Sequence, residues 1–184
     1  KMKSIQIEKF GGPEVLVIKD IDIGKPGPKE VLIKNKSIGL NFIDIYHRTG
    51  LYPIPLPSGI GLEASGTIEE IGSEVKLFKV GDRVTHASMP IGAYSEKQIM
   101  PEEKLISVPD GISDEVASCI TLKGITAEYL LHRAYPLKKG DKVLYHAAAG
   151  ALGQILCPWA NSLGAEVIGT CLLYTSDAAD EWLR

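Results

Sequence analysis

The segment Lys142–Thr170, KVLYHAAAGALGQILCPWANSLGAEVIGT, limits what this chain can fold into more than any other stretch. Val143, Leu144 and Tyr145 form a short apolar strand, and Ala147 to Gly153 form a turn of small residues. Ile155 to Leu163 carry a largely apolar helix, and Val167 and Ile168 begin a second strand. This order is a βαβ unit, whose turn aims free backbone N–H groups at a pyrophosphate while the helix dipole favours negative charge there. The spacing of GxGxxG is met by Ala148, Gly150 and Gly153, with alanine in place of the first glycine. Gly150 lets the backbone approach a phosphate, and Gly153 allows helix and strand to pack closely. An ordinary tight packing turn satisfies the same pattern, so the loop alone does not establish a nucleotide site.

The residues before this unit read differently. Ile5 and Ile7, Val15 and Val17, and Val31 and Ile33 keep a period of two, and turns fall at Gly11–Pro13, Gly24–Pro28, Pro53–Gly61 and Gly81–Asp82. Many short strands with such punctuation predict a β-rich barrel or sandwich, interrupted by one helix from Asn41 to Arg48. After Pro109–Gly111, Ser113 is placed to cap a helix, and a second helix is predicted from Thr121 to Tyr135, before Pro136. The domain boundary falls near Thr121, and the whole chain reads as α/β.

Composition narrows the partners. The formal net charge is −3 and basic residues form no cluster, which argues against nucleic acid. No apolar run is long enough to span a bilayer, and the first residues, KMKSIQIEKF, lack the apolar region of a signal peptide. Cys119, Cys157 and Cys171 have neither metal-ligand spacing nor the look of a disulfide framework, so buried thiols in a reducing cytoplasm are expected.

An ordered series of motifs adds to this. It comprises GGPEVL from Gly11, NFIDIYHRTGLYP from Asn41, GLEASGTIEEIGSEVKLFKVGDRV from Gly61, GAYSE from Gly92, LKGITAEYLL from Leu122 and HAAAG from His146. From its start to Thr170 the chain resembles the medium-chain dehydrogenase/reductase superfamily, and within it the zinc-independent quinone oxidoreductases, the zeta-crystallin group. The resemblance implies a GroES-like barrel domain over residues 1–120 and the start of a Rossmann doubly wound parallel sheet over 121–170. It implies an NADPH-dependent reductase that passes hydride to a quinone or related activated carbonyl, homo-oligomeric as a whole protein. Enoyl thioester reduction, or a non-catalytic NADPH-binding role of a structural or RNA-binding kind, are the alternatives. Zinc-dependent relatives carry cysteine where this chain has Asn41 and histidine where it has Leu62, so no metal is expected.

The same resemblance assigns residues. Asn41, Tyr46 and Tyr52 are the hydrogen-bond donors around substrate and nicotinamide, with Asn41 and Tyr52 facing the substrate. Phe42, Asp44 and Tyr46 belong to the nicotinamide side, and Thr126 and Tyr129 line the cleft from one helix face. Gly150, Ala151, Leu152 and Gly153 complete the cofactor set. From spacing alone other readings stand: tyrosines beside a proline turn also pack, Asn41 also caps the helix, and Asp44 also fixes it by accepting backbone N–H bonds. His146 reads as a hydrogen-bonded strand-end residue, and Glu63 and Asp82 as acceptors in local turns.

Three features depart from the family pattern. Ala151 replaces a usual glycine, and Pro158 lies inside the helix after the turn, where a local distortion is expected. From Cys171 the string CLLYTSDAADE reads as the translation of a sequencing-library adaptor, so residues 171–184 are expected to be non-native. Lys1 ahead of Met2 reads as a cut from an open reading frame. The chain is then expected to lack the rest of the cofactor sheet, to expose apolar sheet surface and to be inactive alone.

Overall fold

The computed structural model describes residues 1–171, and apart from Cys171 the segment expected to be foreign lies outside the described residues. The chain divides into two compact units, Lys1–Thr121 and Leu122 onward.

The first unit is built from alternation. Strands β1 (Met2–Ile7), β2 (Val17–Ile21) and β4 (Ser58–Gly59) form one antiparallel sheet in the order β2-β1-β4. Strands β3 (Glu30–Gly39), β5 (Glu63–Ile71), β6 (Arg83–Ala87), β7 (Lys97–Pro101) and β8 (Ile106–Ser107) form a second, in the order β7-β3-β5-β6-β8. Val31 and Ile33 point to one face of β3 and meet Ile68, Val84, Met100 and Leu105 in the main core. Each such side chain contributes about 1.5–3 kcal/mol by leaving water. A smaller cluster of Ile7, Val15 and Ile60 lies under the first sheet. The two sheets join at one seam, where Ile5 N–H donates to the Tyr94 carbonyl (2.8 Å) and Glu96 N–H to that of Lys3 (3.0 Å). The expected barrel is thus built from two sheets joined through main-chain hydrogen bonds of residues 92–96.

Helix α1 (Phe42–Thr49) lies one residue later than the reading from spacing, because Asn41 keeps an extended conformation (φ −136°) as its N-cap. It stops at Gly50, whose φ of 80° is the left-handed conformation that glycine adopts without cost. Helix α2 (Asp114–Glu128) is capped as expected: the Ser113 hydroxyl accepts the Val116 N–H at 3.3 Å. The two helices expected between Ser113 and Tyr135 are one continuous helical run. Thr121 does not break it, because its hydroxyl bonds back to the Ala117 carbonyl at 2.7 Å. After Glu128 the run widens into a π-type segment, Tyr129–Ala134, before Pro136.

In the second unit, β9 (Lys142–His146) pairs in parallel with β10 (Glu166–Thr170), and helix α3 (Gly153–Ser162) connects them. Ala148, Leu156, Cys157 and Ala160 pack with Ala127 and Leu131. Leu144 and Ile168 stand opposite each other in the register and remain 60% and 50% exposed, the apolar sheet surface anticipated from the sequence. Helix α3 runs unbroken through Pro158, so the expected distortion does not interrupt it. Of the thiols expected to be buried, Cys157 is, and burial pushes its pKa up, whereas Cys119 and Cys171 are exposed. Among the described residues no helix is long and apolar enough to cross a membrane.

Candidate functional site

The first cluster of expected site residues is organised around the start of α1. Asp44, in the first turn, reaches back so that its Oδ2 accepts the Asn41 main-chain N–H at 2.9 Å, one arm of a capping box. The same oxygen accepts the Tyr94 hydroxyl at 2.9 Å. Asp44 is 4% exposed, and burial raises its pKa above the usual carboxylate range against those two hydrogen bonds. Tyr94 is pushed upward too, by burial and then by the Asp44 charge and the hydrogen bond between them.

Asn41 is buried, and its side-chain Nδ2 donates to Glu63 Oε2 at 2.8 Å. Glu63 is fully buried at the head of β5, not in a local turn as expected from its glycine-rich surroundings. Asp82 does follow the turn reading, accepting the Lys79 N–H at 2.9 Å.

Toward solvent, Tyr46 and Tyr52 pack edge to face with ring centroids 5.4 Å apart. The Tyr52 N–H donates to the Tyr46 carbonyl at 3.1 Å, which fixes the chain after α1 against the helix. Tyr52 is half-exposed and Phe42 is largely exposed. Exposed aromatic rings thus stand next to a buried polar network at the same helix.

The second cluster lies in the turn between β9 and α3. Ala147 adopts φ 61°, a left-handed conformation that an L side chain holds at a cost of about 1–2 kcal/mol. Its carbonyl accepts the Gly150 N–H at 2.8 Å, closing the turn. A Cβ on Gly153 would lie 2.3 Å from the Ala148 carbonyl oxygen, so glycine is required where the start of α3 closes on the turn. Among the described residues, the N–H groups of Ala151 and Leu152 donate to no main-chain carbonyl. They stand at the positive end of α3 with capacity to bind an anion. His146 Nδ1 lies 2.8 Å from the Thr170 hydroxyl, the strand-end hydrogen bond expected of it. Thr126 is half-buried with its hydroxyl on the Leu122 carbonyl (2.7 Å), and exposed Tyr129 begins the π-type segment one turn later.

Comparison with known proteins follows this geometry. Residues 27–135 match the model of the alcohol dehydrogenase GroES-like domain. The chain belongs to that family. A quinone oxidoreductase of Pseudomonas aeruginosa is 54% identical over 169 residues, covering 91% of this chain and 52% of that protein. A 2-haloacrylate reductase of a Burkholderia species is 48% identical over 171 residues, 89% of this chain and 51% of its own length. The solved structure of the Escherichia coli quinone oxidoreductase complexed with NADPH superposes with a TM-score of 0.94 at 43% identity, covering 98% of this chain and 56% of that one. The quinone oxidoreductase branch of the medium-chain superfamily, expected from the motifs, is thus the one to which this GroES-like member is similar. The chain spans about half the length of the curated relatives it matches.

Reading the sequence missed two members of the first cluster, Glu63 and Tyr94. A lone acid among Ile60, Leu62 and Ala64 was the available signal for Glu63, since a buried acid needs a partner. Tyr94 carried no signal in its own neighbourhood.

Proposed function

We propose that this chain carries the substrate-handling residues and first phosphate-binding turn of a reductase that uses NADPH to reduce a quinone or related activated carbonyl. The observation that carries this reading is the Tyr46–Tyr52 pair, with Tyr52 half-exposed, set beside the buried Asn41–Asp44 network.

The residues fit a dinucleotide. The turn at Ala147–Gly153 offers unspent N–H groups at a helix N-terminus and a glycine where a phosphate approaches. Gly150, Ala151, Leu152 and Gly153 would hold the pyrophosphate; Phe42, Asp44 and Tyr46 would take the nicotinamide side, and Thr126 and Tyr129 further cofactor contacts. NADPH, when bound, would supply the hydride. Tyr52 and Tyr46 can donate hydrogen bonds to an acceptor oxygen as negative charge develops on it, and Asn41 retains a second N–H for the same purpose. A quinone is already electrophilic, so neutral donors suffice. The Escherichia coli structure, described as a complex with NADPH, and the Pseudomonas relative, named a quinone oxidoreductase, support cofactor and acceptor.

In this reading residues 1–120 form the catalytic domain and 121–170 begin the cofactor domain, and the separate 184-residue chain is inactive without the remainder. A cytoplasmic, homo-oligomeric whole protein belongs to the same proposal.

The test is quinone-dependent oxidation of NADPH by the whole protein. Tyr52→Phe is expected to lower kcat/KM roughly 10–100-fold through loss of one donor. An unchanged rate would remove Tyr52 from the mechanism, and a strong preference for an enoyl thioester would replace the acceptor class. The Burkholderia relative, named a 2-haloacrylate reductase, favours an activated alkene as the second reading. NADPH binding with no turnover across acceptors would leave the non-catalytic alternative.

A further inference from the structure

A carboxamide has two chemically different ends, and a site that uses one must keep it from turning over. Asn41 presents its Nδ2 to Glu63 Oε2 at 2.8 Å. A carboxylate accepts and cannot donate, so the amide nitrogen is held toward Glu63 and the amide plane is set. Both residues are buried, at 9% and 0% exposure, where an alternative partner in water is not on offer. The backbone is shaped for this contact. A Cβ on Gly39 would lie 2.5 Å from Glu63 Oε2 and 2.1 Å from the Ser118 carbonyl oxygen, so only glycine leaves space for the carboxylate. Gly39 and Glu63 are also register partners across β3 and β5, and Asn41 follows Gly39 by two residues. The end of β3, the head of β5 and the cap of α1 therefore meet at one carboxylate.

We propose that Glu63 is a positioning residue that selects which atoms of the Asn41 carboxamide face cofactor and substrate. This rests on the reductase reading, in which Asn41 lines the site. Glu63 acts through Asn41 and touches neither cofactor nor substrate. With Nδ2 anchored on Glu63 and Oδ1 turned to the Asp44 N–H of the capping box, Asn41 offers its second N–H in one fixed arrangement. Replacing the carboxylate by a carboxamide, which both donates and accepts, removes that selection without changing the size of the group.

The experiment is a double-mutant cycle in the whole protein, reading the Kd for NADPH and kcat and KM for a quinone. Glu63→Gln is expected to weaken NADPH binding or lower kcat/KM roughly tenfold, with the thermal midpoint little changed. In an Asn41→Ala background the same substitution is expected to cost less than in the wild type, because the amide it orients is gone. Additive losses in the cycle, or wild-type constants in Glu63→Gln, would overturn the proposal. A wild-type protein that fails to bind NADPH would instead remove the reductase reading, and this proposal with it.

Discussion

In the first unit, β3 is paired on both sides, by β5 and β7, while in the second β9 and β10 have only each other among the described residues. The candidate residues follow the same division. Asn41 and Asp44 are held by side-chain hydrogen bonds to Glu63 and Tyr94, on elements distant in sequence. The turn at Ala147–Gly153 is held mainly by backbone bonds, the Gly150 N–H to the Ala147 carbonyl and the Ala148 N–H to that of Thr170, and it contains a strained residue. Loss of a remote partner should therefore disable the first region, whereas the second should respond to changes in its own backbone.

Four measurements can break or sharpen this contrast. His86, inside the first unit, is 1% exposed, and neither ring nitrogen makes a hydrogen bond of good geometry. Burial lowers its pKa from 6.5 to about 4, with the Leu62 backbone and Gln98 side chain near enough to offset only part of the effect. Because the folded-state pKa is depressed, the unfolded chain takes up the proton first. Stability is then complete above pH 6.5 and falls as pH drops from 6.5 to 4. The loss amounts to about 3 kcal/mol at the acid end. His86→Leu should remove that increment, read as a smaller difference between thermal midpoints near neutrality and near pH 4. Equal acid losses in both proteins would mean that His86 is not buried neutral.

Pro158→Gln in the second unit restores an interior helical N–H and should raise stability by ~2–3 kcal/mol. Trp159, on α3, is the one tryptophan among the described residues, so a change in its fluorescence during unfolding reads this helix. No upward shift in that signal would show that α3 already accommodates the proline. Ala147→Gly relieves the left-handed strain and should add about 1 kcal/mol, less the entropy that glycine gains in the unfolded chain. Destabilisation by urea would contradict the backbone-controlled account of the turn. The smallest effect on stability is expected from Leu144→Thr with Ile168→Thr, within ~0.5 kcal/mol, together with reduced self-association by light scattering. Unchanged association would show that this sheet face is not what joins copies.

Local chemistry was the legible part of this fold. Asn41 followed by Asp44 signalled the start of α1, Ser113 that of α2, and the small residues from Ala147 the turn into α3, because caps and tight turns are decided within a few residues. Thr121 was read as the start of a separate helix, yet its hydroxyl bonds to the Ala117 carbonyl of the same helix, which runs on through it. Pro158 was expected to disturb α3, but surrounding apolar packing from Leu156, Cys157 and Ala160 carries the helix past one missing bond. Glu63 and Tyr94 escaped because their partners lie 22 and 50 residues away, a separation that no local pattern encodes.

The Asp44–Tyr94 hydrogen bond has a bearing on the order of folding events. Helix α1 has eight residues, too few to persist alone in water. Its first turn is secured by a contact spanning 50 residues and by the 22-residue link from Asn41 to Glu63. Closing those loops must precede the reward from either bond, so α1 should lock only once β5 and the Tyr94 seam have docked. The face of the first unit that carries α1 is then among its last regions to form, and Tyr46 and Tyr52 would act as kinetic reporters of its completion.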